Sequence, residues 1–359
     1  MNEKLLTPYL KQLLPTPPVL NVQEFARALE IIFEGKANDV EIASFLTGIR
    51  IHKLDFNSDY IAVAVETILK YSETIEHESE GFVDIVGTGG DSQNTFNVST
   101  SSAIVASGMG LNVCKHGGKA STSASGSGDL MNKLGVQLMK VNALTAPKIV
   151  ENSKLCFLFA PAFHHGMAKV VNVRKQLGIP TIFNILGPLL NPIKIKARIL
   201  GVYTKELGRI YCEAAVKIDK SKGTSANTMV VCGDIGLDEI SPIGETQVWF
   251  YNKDEDKISE FKISPADFGL PEHELELVKS GTPEENAKIL EKILNKSENE
   301  LLPGKDPLVD YIVMNAGALA VVAGVADSWK HGVELARESI SSGSAKNALA
   351  KFIEEVNKH

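Results

Sequence analysis

The sequence predicts an α/β fold in which a small all-helical domain precedes a larger α/β domain with a mostly parallel central sheet. Residues 1–80 carry apolar side chains at helical spacing, whereas after Gly81 short apolar runs alternate with helix-length segments. Within residues 246–263, two alternating runs around a charged turn indicate an antiparallel hairpin. With 359 residues, 44% of them hydrophobic, the chain is long enough for a large core and a second, smaller one.

Three helices are predicted before Gly81. Asn21 is placed to cap the first, which Gly35 ends; Asp39 begins the second, and Ser58 is placed to cap the third. Each segment repeats apolar residues every three or four positions, as a helix packed on one face does. The repeated residues are Val22, Phe25, Leu29 and Ile32, then Ile42, Phe45, Leu46 and Ile49, then Ile61, Val65, Ile68 and Leu69.

Five apolar runs of strand length predict the parallel part of the sheet. They are rich in β-branched residues, are separated by helix-like stretches, and are bounded by turn residues, as buried parallel strands are. The runs are FVDIV from residue 82, LNVC (111–114), LCFLFA (155–160), ARILGVY (197–203) and TMVVCG (228–233). From Asp306 the chain returns to helices rich in alanine.

Charge and composition exclude several classes of protein. The net charge of -7 gives no support to non-specific binding of nucleic acid, which needs a clustered positive surface. No segment approaches the roughly 18 consecutive apolar residues of a membrane span, so a cytoplasmic protein is expected. The four cysteines form no CxxC pair and are predicted to be buried free thiols; they are Cys114, Cys156, Cys212 and Cys232.

A glycine-rich segment directly after the first predicted strand has the outline of a phosphate site. Glycines at a strand end let backbone N–H groups approach a ligand, and a helix start supplies further donors for an anion. The candidate binding residues are Gly87, Thr88, Gly89, Gly90 and Asp91, followed by Asn97, Val98, Ser99 and Thr100 where a helix opens. The dinucleotide fingerprint fails because Ser92 stands where its third glycine should be, and an ordinary glycine-rich turn remains the alternative.

A second candidate loop follows the next predicted strand. It holds two lysines among glycines and serines, and adjacent strand ends face one crevice in α/β sheets. Its candidate binding residues are Lys115, Gly117, Gly118, Lys119 and Ser127, with further serines at Ser121 and Ser123. A solvated, flexible loop is the alternative. His116 is interpreted as a structural loop residue.

The pair Asp238 and Glu239 follows the strand TMVVCG and is a candidate magnesium site. Mg²⁺ takes oxygen ligands and usually shares them with substrate phosphates. An acidic pair on a loop is more often merely solvated; the placement beside the two glycine-rich loops favours the metal.

Arg174 is the candidate residue for gripping a carboxylate, because a guanidinium can hold one with two hydrogen bonds. Phe163 and Met167 are candidates for bounding a planar ring, and His164 is a candidate substrate contact. A metal site at the adjacent pair His164 and His165 is not expected, because neighbouring side chains point apart and no third ligand stands at helical spacing.

Together these blocks resemble the anthranilate phosphoribosyltransferases of tryptophan biosynthesis. The resemblance runs over the whole chain and is carried by GTGGD, NVST, KHG, FAP, VRKQLG, NILGPLLNP and LDEIS in the family's order. It implies a nucleoside phosphorylase/phosphoribosyltransferase-like fold, with a helical domain of residues 1–80 completed by about 166–192. Residues 81–165 and 193–359 would then form the domain that binds phosphoribosyl pyrophosphate (PRPP).

The resemblance also implies a reaction and a set of residue roles. A magnesium-dependent transferase, usually a homodimer, would pass the phosphoribosyl group of PRPP to the amine of anthranilate. Lys115 and Arg174 would be catalytic, Lys115 at the donor and Arg174 at the aromatic acid. Ser99, Asp238 and Glu239 would lie at magnesium, and the two glycine-rich loops would hold the donor's phosphates.

The chain departs from the family's usual pattern mainly on the acceptor side. The departures are Gly118, Lys119, Asn132, Ala162, His165 and Leu190. Another aromatic acid or amine as acceptor, or a non-catalytic paralogue that binds only the donor, therefore stay open as alternatives. A pyrimidine nucleoside phosphorylase is the rival enzyme on the same architecture, and GTGGD together with Asp238 and Glu239 argues against it.

Overall fold

The N-terminal part of the computed structural model is helical, and the structure describes residues 4–77, 81–120 and 124–359. The side chains of Asn21 and Asn38 cap the second and third helices, as expected for asparagine at a helix start. Ser58, predicted as a cap, is instead the first residue of the fourth helix, and the neighbouring Asn57 caps it. The helices are α1 (Thr7–Gln12), α2 (Val22–Phe33), α3 (Asp39–Ile51) and α4 (Ser58–Lys70).

A seven-stranded sheet with the order β3-β2-β1-β4-β5-β6-β7 forms the centre of the described structure. Strands β1 to β5 pair in parallel, and β6 and β7 add an antiparallel hairpin at one edge, as predicted. The strands are β1 (Phe82–Gly87), β2 (Asn112–Gly117), β3 (Leu155–Phe159), β4 (Ile195–Gly201), β5 (Asn227–Gly233), β6 (Thr246–Asn252) and β7 (Lys257–Ile263).

Helices cover both faces of this sheet and bury two hydrophobic clusters. One cluster packs the α5, α13, α14 and α15 side chains against the sheet, and the other joins the N-terminal helices, residues 170–190 and α11 to its opposite face. The helices after β1 are α5 (Val98–Gly108), α6 (Ser127–Lys133), α7 (Ala146–Ser153), α8 (Ala160–Phe163), α9 (Ala168–Leu177), α10 (Phe183–Leu186), α11 (Lys205–Ser221), α12 (Pro283–Ile293), α13 (Pro307–Val322), α14 (Trp329–Ser341) and α15 (Ser344–Lys358).

The cysteines are buried free thiols, as predicted. In the described part of the chain, no helix combines the length and the apolar character that crossing a bilayer requires. All four cysteines are buried free thiols, and burial raises the pKa of Cys156 above its usual range.

Strand β2 is longer than its apolar run predicted. It continues through Lys115 and His116 to Gly117, so both residues lie in a buried strand, and the interpretation of His116 as a loop residue was wrong. Lys115 is only 1% exposed and His116 only 2%. Lys115 and His116 end the apolar run in the sequence because they are polar. The backbone hydrogen bonds of the strand nevertheless continue past them, because their side chains have buried hydrogen-bond partners.

The chain reverses its winding direction between β1 and β4, which are neighbours in the sheet. From β1 it winds outward through β2 to β3, and from β4 it winds the other way to β5. Ligands of open α/β sheets bind at such a switch point, beyond the carboxyl ends of the strands. The segments after β1, β2 and β5, which carry the sequence motifs, all start at this edge.

Candidate active site

The segment that carries Asp238 and Glu239, here called the acidic segment, crosses the carboxyl ends of β1 and β4. Glycines at those two strand ends leave room for it. Gly87 and Gly201 are register partners, and Asp238 lies directly over both. A Cβ added to Gly87 would lie 2.3 Å from Asp238 Oδ2, and one added to Gly201 would lie 1.6 Å from the Asp238 carbonyl oxygen. Any side chain at either position would therefore displace the acidic pair.

Hydrogen bonds join the segment after β1 to the acidic segment. The N–H of Gly89 donates to Asp238 Oδ2 over 2.6 Å, and Gln93 Nε2 donates to the Ile235 carbonyl over 2.8 Å. Gly89 and Gly90 have φ of +71° and +81°, which glycine adopts without strain. Among the described residues, the N–H groups of Gly90 and Asp91 meet no acceptor. They are donors available to an anion.

The start of α5 offers further donors at the same place. The N–H groups of Ser99 and Thr100 meet no acceptor among the described residues, and the helix has no side-chain cap. The hydroxyls of Thr88 and Thr100 are buried and have no hydrogen-bond partner among the described residues. Val98 differs, because its side chain is 1% exposed and its N–H donates to the Phe96 carbonyl. Unused amides and hydroxyls around a helix start suit a phosphate group.

Both carboxyl groups of the acidic pair have raised pKa values. Burial, with the charge of Asp91 nearby, raises the pKa of Asp238 to about 7. Burial and the charge of Asp238 raise the pKa of Glu239 well above its usual value, although the charge of Lys115 and, to a smaller extent, the Ser99 hydroxyl oppose the rise. Two close, poorly solvated carboxylates cannot both ionise easily without a positive partner.

These oxygens fit Mg²⁺ if substrate phosphates complete its coordination. Among the described residues, no three acidic, histidine or cysteine side chains converge as a complete metal cage. Mg²⁺ is commonly held by one or two carboxylates together with water and substrate phosphates. Asp238 and Glu239 supply the two carboxylates, with the Ser99 hydroxyl beside them and the open start of α5 next to Ser99.

Lys115 is buried in β2, with 1% of its surface exposed. Its Nζ donates to the Ile85 carbonyl over 2.5 Å. Burial lowers the pKa of Lys115, and the charges of Asp84, Glu239 and Asp238 oppose that shift. Asp84 is itself fully buried in β1, and burial raises its pKa to about 6. Asp84 and the acidic pair therefore favour the charged form of Lys115, which burial disfavours.

The segment after β2 folds back onto its own start. Ser127 Oγ donates to the Gly118 carbonyl over 3.2 Å, and a Cβ on Gly117 would lie 2.3 Å from that hydroxyl. Among the described residues other than its chain neighbours, none has an atom within 4 Å of the position of a Cβ on Gly118, and Lys119 is exposed. The predicted serines Ser121 and Ser123 lie outside the described residues.

Arg174 on α9 is a partly buried cation without an acidic partner among the described residues. Its guanidinium lies over the ring of Phe183, with Cζ 5.6 Å from the ring centroid, and donates to Asn184 Oδ1 over 3.4 Å. Its Nε is buried and unpaired. Burial lowers the pKa of Arg174, so a ligand carboxylate would relieve an existing cost. The arrangement fits an aromatic acid.

His116 and His164 form a buried pair that connects the segment after α8 to β2. Their Nε2 atoms are 3.0 Å apart, while His116 Nδ1 lies 3.0 Å from the Gly187 carbonyl and His164 Nδ1 lies 2.8 Å from Ser72 Oγ. Burial lowers the pKa of His164 to about 4 and that of His116 well below its usual value, so both are neutral. A carbonyl only accepts; hence His116 donates from Nδ1 and accepts at Nε2 from His164.

The comparisons with known proteins agree with this geometry. The chain matches the family described as "Glycosyl transferase family, a/b domain" over residues 79–346, and its helical bundle domain over residues 7–72. The anthranilate phosphoribosyltransferase of Saccharomyces cerevisiae is 44% identical, over 99% of this chain and 100% of that protein. The chain belongs to the anthranilate phosphoribosyltransferase family.

Two solved structures of the yeast family member carry ligands. One, in complex with PRPP and Mg, has a TM-score of 0.92 and 44% identity and covers 99% of each chain. The other, in complex with 4-fluoroanthranilate, has a TM-score of 0.90 and 43% identity, covering 99% of this chain and 98% of that one.

The departures from the usual family pattern lie in different surroundings. Ala162 and Leu190 are buried in the two hydrophobic clusters, and His165 is exposed, with Nε2 3.2 Å from Glu73 Oε1. His164, by contrast, is buried.

Two buried residues that connect the two sides of the site were not among the predicted site residues: Asp84, which lies outside the family motifs, and Asn191, which lies within the motif NILGPLLNP. Asn191 Nδ2 donates to Asp84 Oδ2 and to the Cys114 carbonyl, each over 2.8 Å, and so fixes the segment after α10 to β1 and β2. A carboxylate in the middle of the apolar run FVDIV was the available signal for Asp84, because a buried charge needs partners.

Proposed function

We propose that the chain transfers the phosphoribosyl group of PRPP to the amine of anthranilate, giving N-(5-phosphoribosyl)anthranilate and pyrophosphate with Mg²⁺ as cofactor. The observation that carries the proposal is the meeting of Asp238 with the Gly87–Gly89 turn beside the open start of α5. A homodimer in the cytoplasm is part of the proposal. The proposal also divides the chain into a helical domain, residues 1–80 with 166–192, and a PRPP-binding domain, residues 81–165 with 193–359.

The donor would lie over the edge of β1. Its diphosphate would meet the free N–H groups of Gly90 and Asp91, and a second phosphate would meet those of Ser99 and Thr100. Mg²⁺, held by Asp238 and Glu239, would supply positive charge to the diphosphate. Lys115 would add positive charge from its buried position in β2. Gly117, Gly118, Lys119 and Ser127 would border the same crevice.

The acceptor would lie against α9 with its carboxylate on Arg174. The N–C1 bond forms as the bond from C1 to the pyrophosphate oxygen breaks, so the electron pair leaves with pyrophosphate and C1 is inverted. An aromatic amine is neutral at pH 7 and attacks without prior deprotonation; its extra proton passes to water afterwards. The chain's contribution is to align the two substrates and to stabilise charge on the leaving group.

Pyrophosphate release tests the reaction directly. Purified protein incubated with PRPP and Mg²⁺ should release pyrophosphate when anthranilate is added and not with aniline, which lacks the carboxylate for Arg174. Phosphorolysis of uridine and thymidine should be absent. PRPP binding by calorimetry without turnover on any aromatic amine would support the donor-binding paralogue instead.

The raised pKa of Asp238 makes stabilisation by the donor depend on pH. The group has a pKa of about 7 in the folded, metal-free protein against 3.8 ordinarily, so ionising it reduces stability increasingly as pH rises toward 7. A bound cation removes this cost. Mg²⁺ with PRPP should therefore raise Tm more at pH 8 than at pH 6, measured by thermal unfolding. An equal increment at both pH values in wild type would contradict the cation's position.

A further inference from the structure

Helix α5 is unusual among the long helices because its asparagine cap residue does not cap it. At α2 and α3 the side chains of Asn21 and Asn38 accept from backbone N–H groups of the first turn. Asn97 stands at the same position of α5, with φ -67° and ψ 59°, and makes no such bond. Side-chain capping of these donors ordinarily contributes about 1 kcal/mol to stability. Something must hold this side chain away from the helix.

The carboxamide of Asn97 is engaged at both ends by other segments. Its Nδ2 donates to the Ser125 carbonyl over 2.7 Å, and its Oδ1 accepts from Asn286 Nδ2 over 2.9 Å. The oxygen that would otherwise cap α5 is therefore turned toward α12. Because Oδ1 points to Asn286, the N–H groups of Ser99 and Thr100 stay without an acceptor among the described residues.

Asn286 is built into the protein as a fixed hydrogen-bonding group. It is 0% exposed, its Nδ2 also donates to Ser280 Oγ over 2.9 Å, and its Oδ1 accepts from the N–H of Gly281 over 2.9 Å. Backbone bonds fix the same two segments together, from Phe96 N to the Val278 carbonyl at 2.8 Å and from Ser280 N to the Asn94 carbonyl at 2.9 Å. Its carboxamide orientation is thus determined by several partners.

We propose that Asn286 is a positioning residue for donor binding: it holds Asn97 in a non-capping orientation and thereby keeps the start of α5 open to a phosphate group of PRPP. Asn286 does not itself touch the donor. The inference rests on the proposed function, and it assigns a role in substrate affinity to a residue outside every motif of the sequence.

A purely structural role for Asn286 is the alternative, because the residue also secures the start of α12. Thr282→Ala is the matched control: Thr282 caps α12 through a bond from the Glu285 N–H, so its loss loosens the same helix start without touching Asn97. Both variants should lower Tm. Only Asn286→Ala should change donor affinity.

For Asn286→Ala we expect KM for PRPP to rise about tenfold, with KM for anthranilate within about twofold of wild type, since small misplacements of binding groups cost one to two orders of magnitude. PRPP binding measured by calorimetry should weaken in parallel. If Asn286→Ala does not fold, Asn286→Asp serves: it keeps an acceptor for Gly281 but cannot donate to Asn97 Oδ1, and the same rise is expected. A rise of equal size in Thr282→Ala would overturn the inference.

A double-mutant cycle with Asn97→Ala separates the two roles further. If Asn286 acts through Asn97, adding Asn286→Ala to Asn97→Ala should change KM for PRPP less than about twofold, because coupled residues are non-additive. Additive effects would overturn the inference. A wild type that does not bind PRPP overturns the proposed function as well; a wild type that binds it, with Asn286→Ala unchanged, overturns only the inference.

Discussion

Asp238→Asn and Glu239→Gln are each expected to lower kcat by about 10²- to 10³-fold, the usual effect of removing one charge-stabilising group at a reacting centre. The reason is that the two carboxylates would hold the cation that stabilises charge on departing pyrophosphate. The Mg²⁺ concentration for half-maximal activity should rise in both variants. Steady-state pyrophosphate release across a magnesium titration measures both quantities.

Stability separates this effect from unfolding. Each amide is isosteric with the acid it replaces and removes one charge from a pair whose pKa values are already raised, so Tm of the metal-free variants should equal or exceed that of wild type. Asp234→Asn is the matched control, because Asp234 lies in the same segment but is exposed and pairs with Lys205. It should retain wild-type kinetics. Unchanged kcat and magnesium dependence in both acidic-pair variants would refute the metal role.

Arg174→Ala is expected to raise KM for anthranilate roughly 10- to 100-fold, because a hydrogen bond to a charged group contributes about 1.5–3 kcal/mol. KM for PRPP should stay within about twofold. The asymmetry is expected because the guanidinium lies over Phe183 and donates a hydrogen bond to Asn184, and neither residue belongs to the glycine-rich turn. Steady-state kinetics with each substrate varied in turn makes the measurement.

Two controls define the contribution of the guanidinium. Arg174→Lys keeps the charge but loses the planar fork, so we expect an intermediate KM for anthranilate. Lys175→Ala removes the exposed neighbouring cation on α9 and should leave both constants unchanged. Equal increases in the two KM values of Arg174→Ala would show that the residue supports the fold of the cleft and does not select the acceptor.

Local sequence patterns predicted the architecture because burial imposes them on the chain. Five apolar runs became the five parallel strands, and the charged turn near Asp254 became the β6–β7 hairpin. The sequence-based predictions were wrong where two neighbouring residues both fit the same role, or where polar residues continue a strand. Asn57 and Ser58 are both good cap residues, and only the three-dimensional structure decides between them. In β2 the buried partners of Lys115 were invisible to a search for apolar runs.

The site was predictable where a motif is continuous and not where contacts are long-range. The Gly87–Asp91 turn and the acidic pair could be placed at one edge because each follows a predicted strand of a mostly parallel sheet. The contact of Asn97 with Asn286 spans 189 positions, and that of His116 with His164 spans 48. Single asparagines and histidines have many structural uses, so nothing in the sequence distinguishes those that meet across the fold.

The most direct test of the account is a crystal structure of the protein with PRPP and Mn²⁺ in place of Mg²⁺, because manganese can be located by its anomalous signal. The account predicts a manganese peak within coordination distance of Asp238 or Glu239, with the diphosphate between that peak and the Gly87–Asp91 turn. A diphosphate bound elsewhere, or manganese away from both carboxylates, would contradict it.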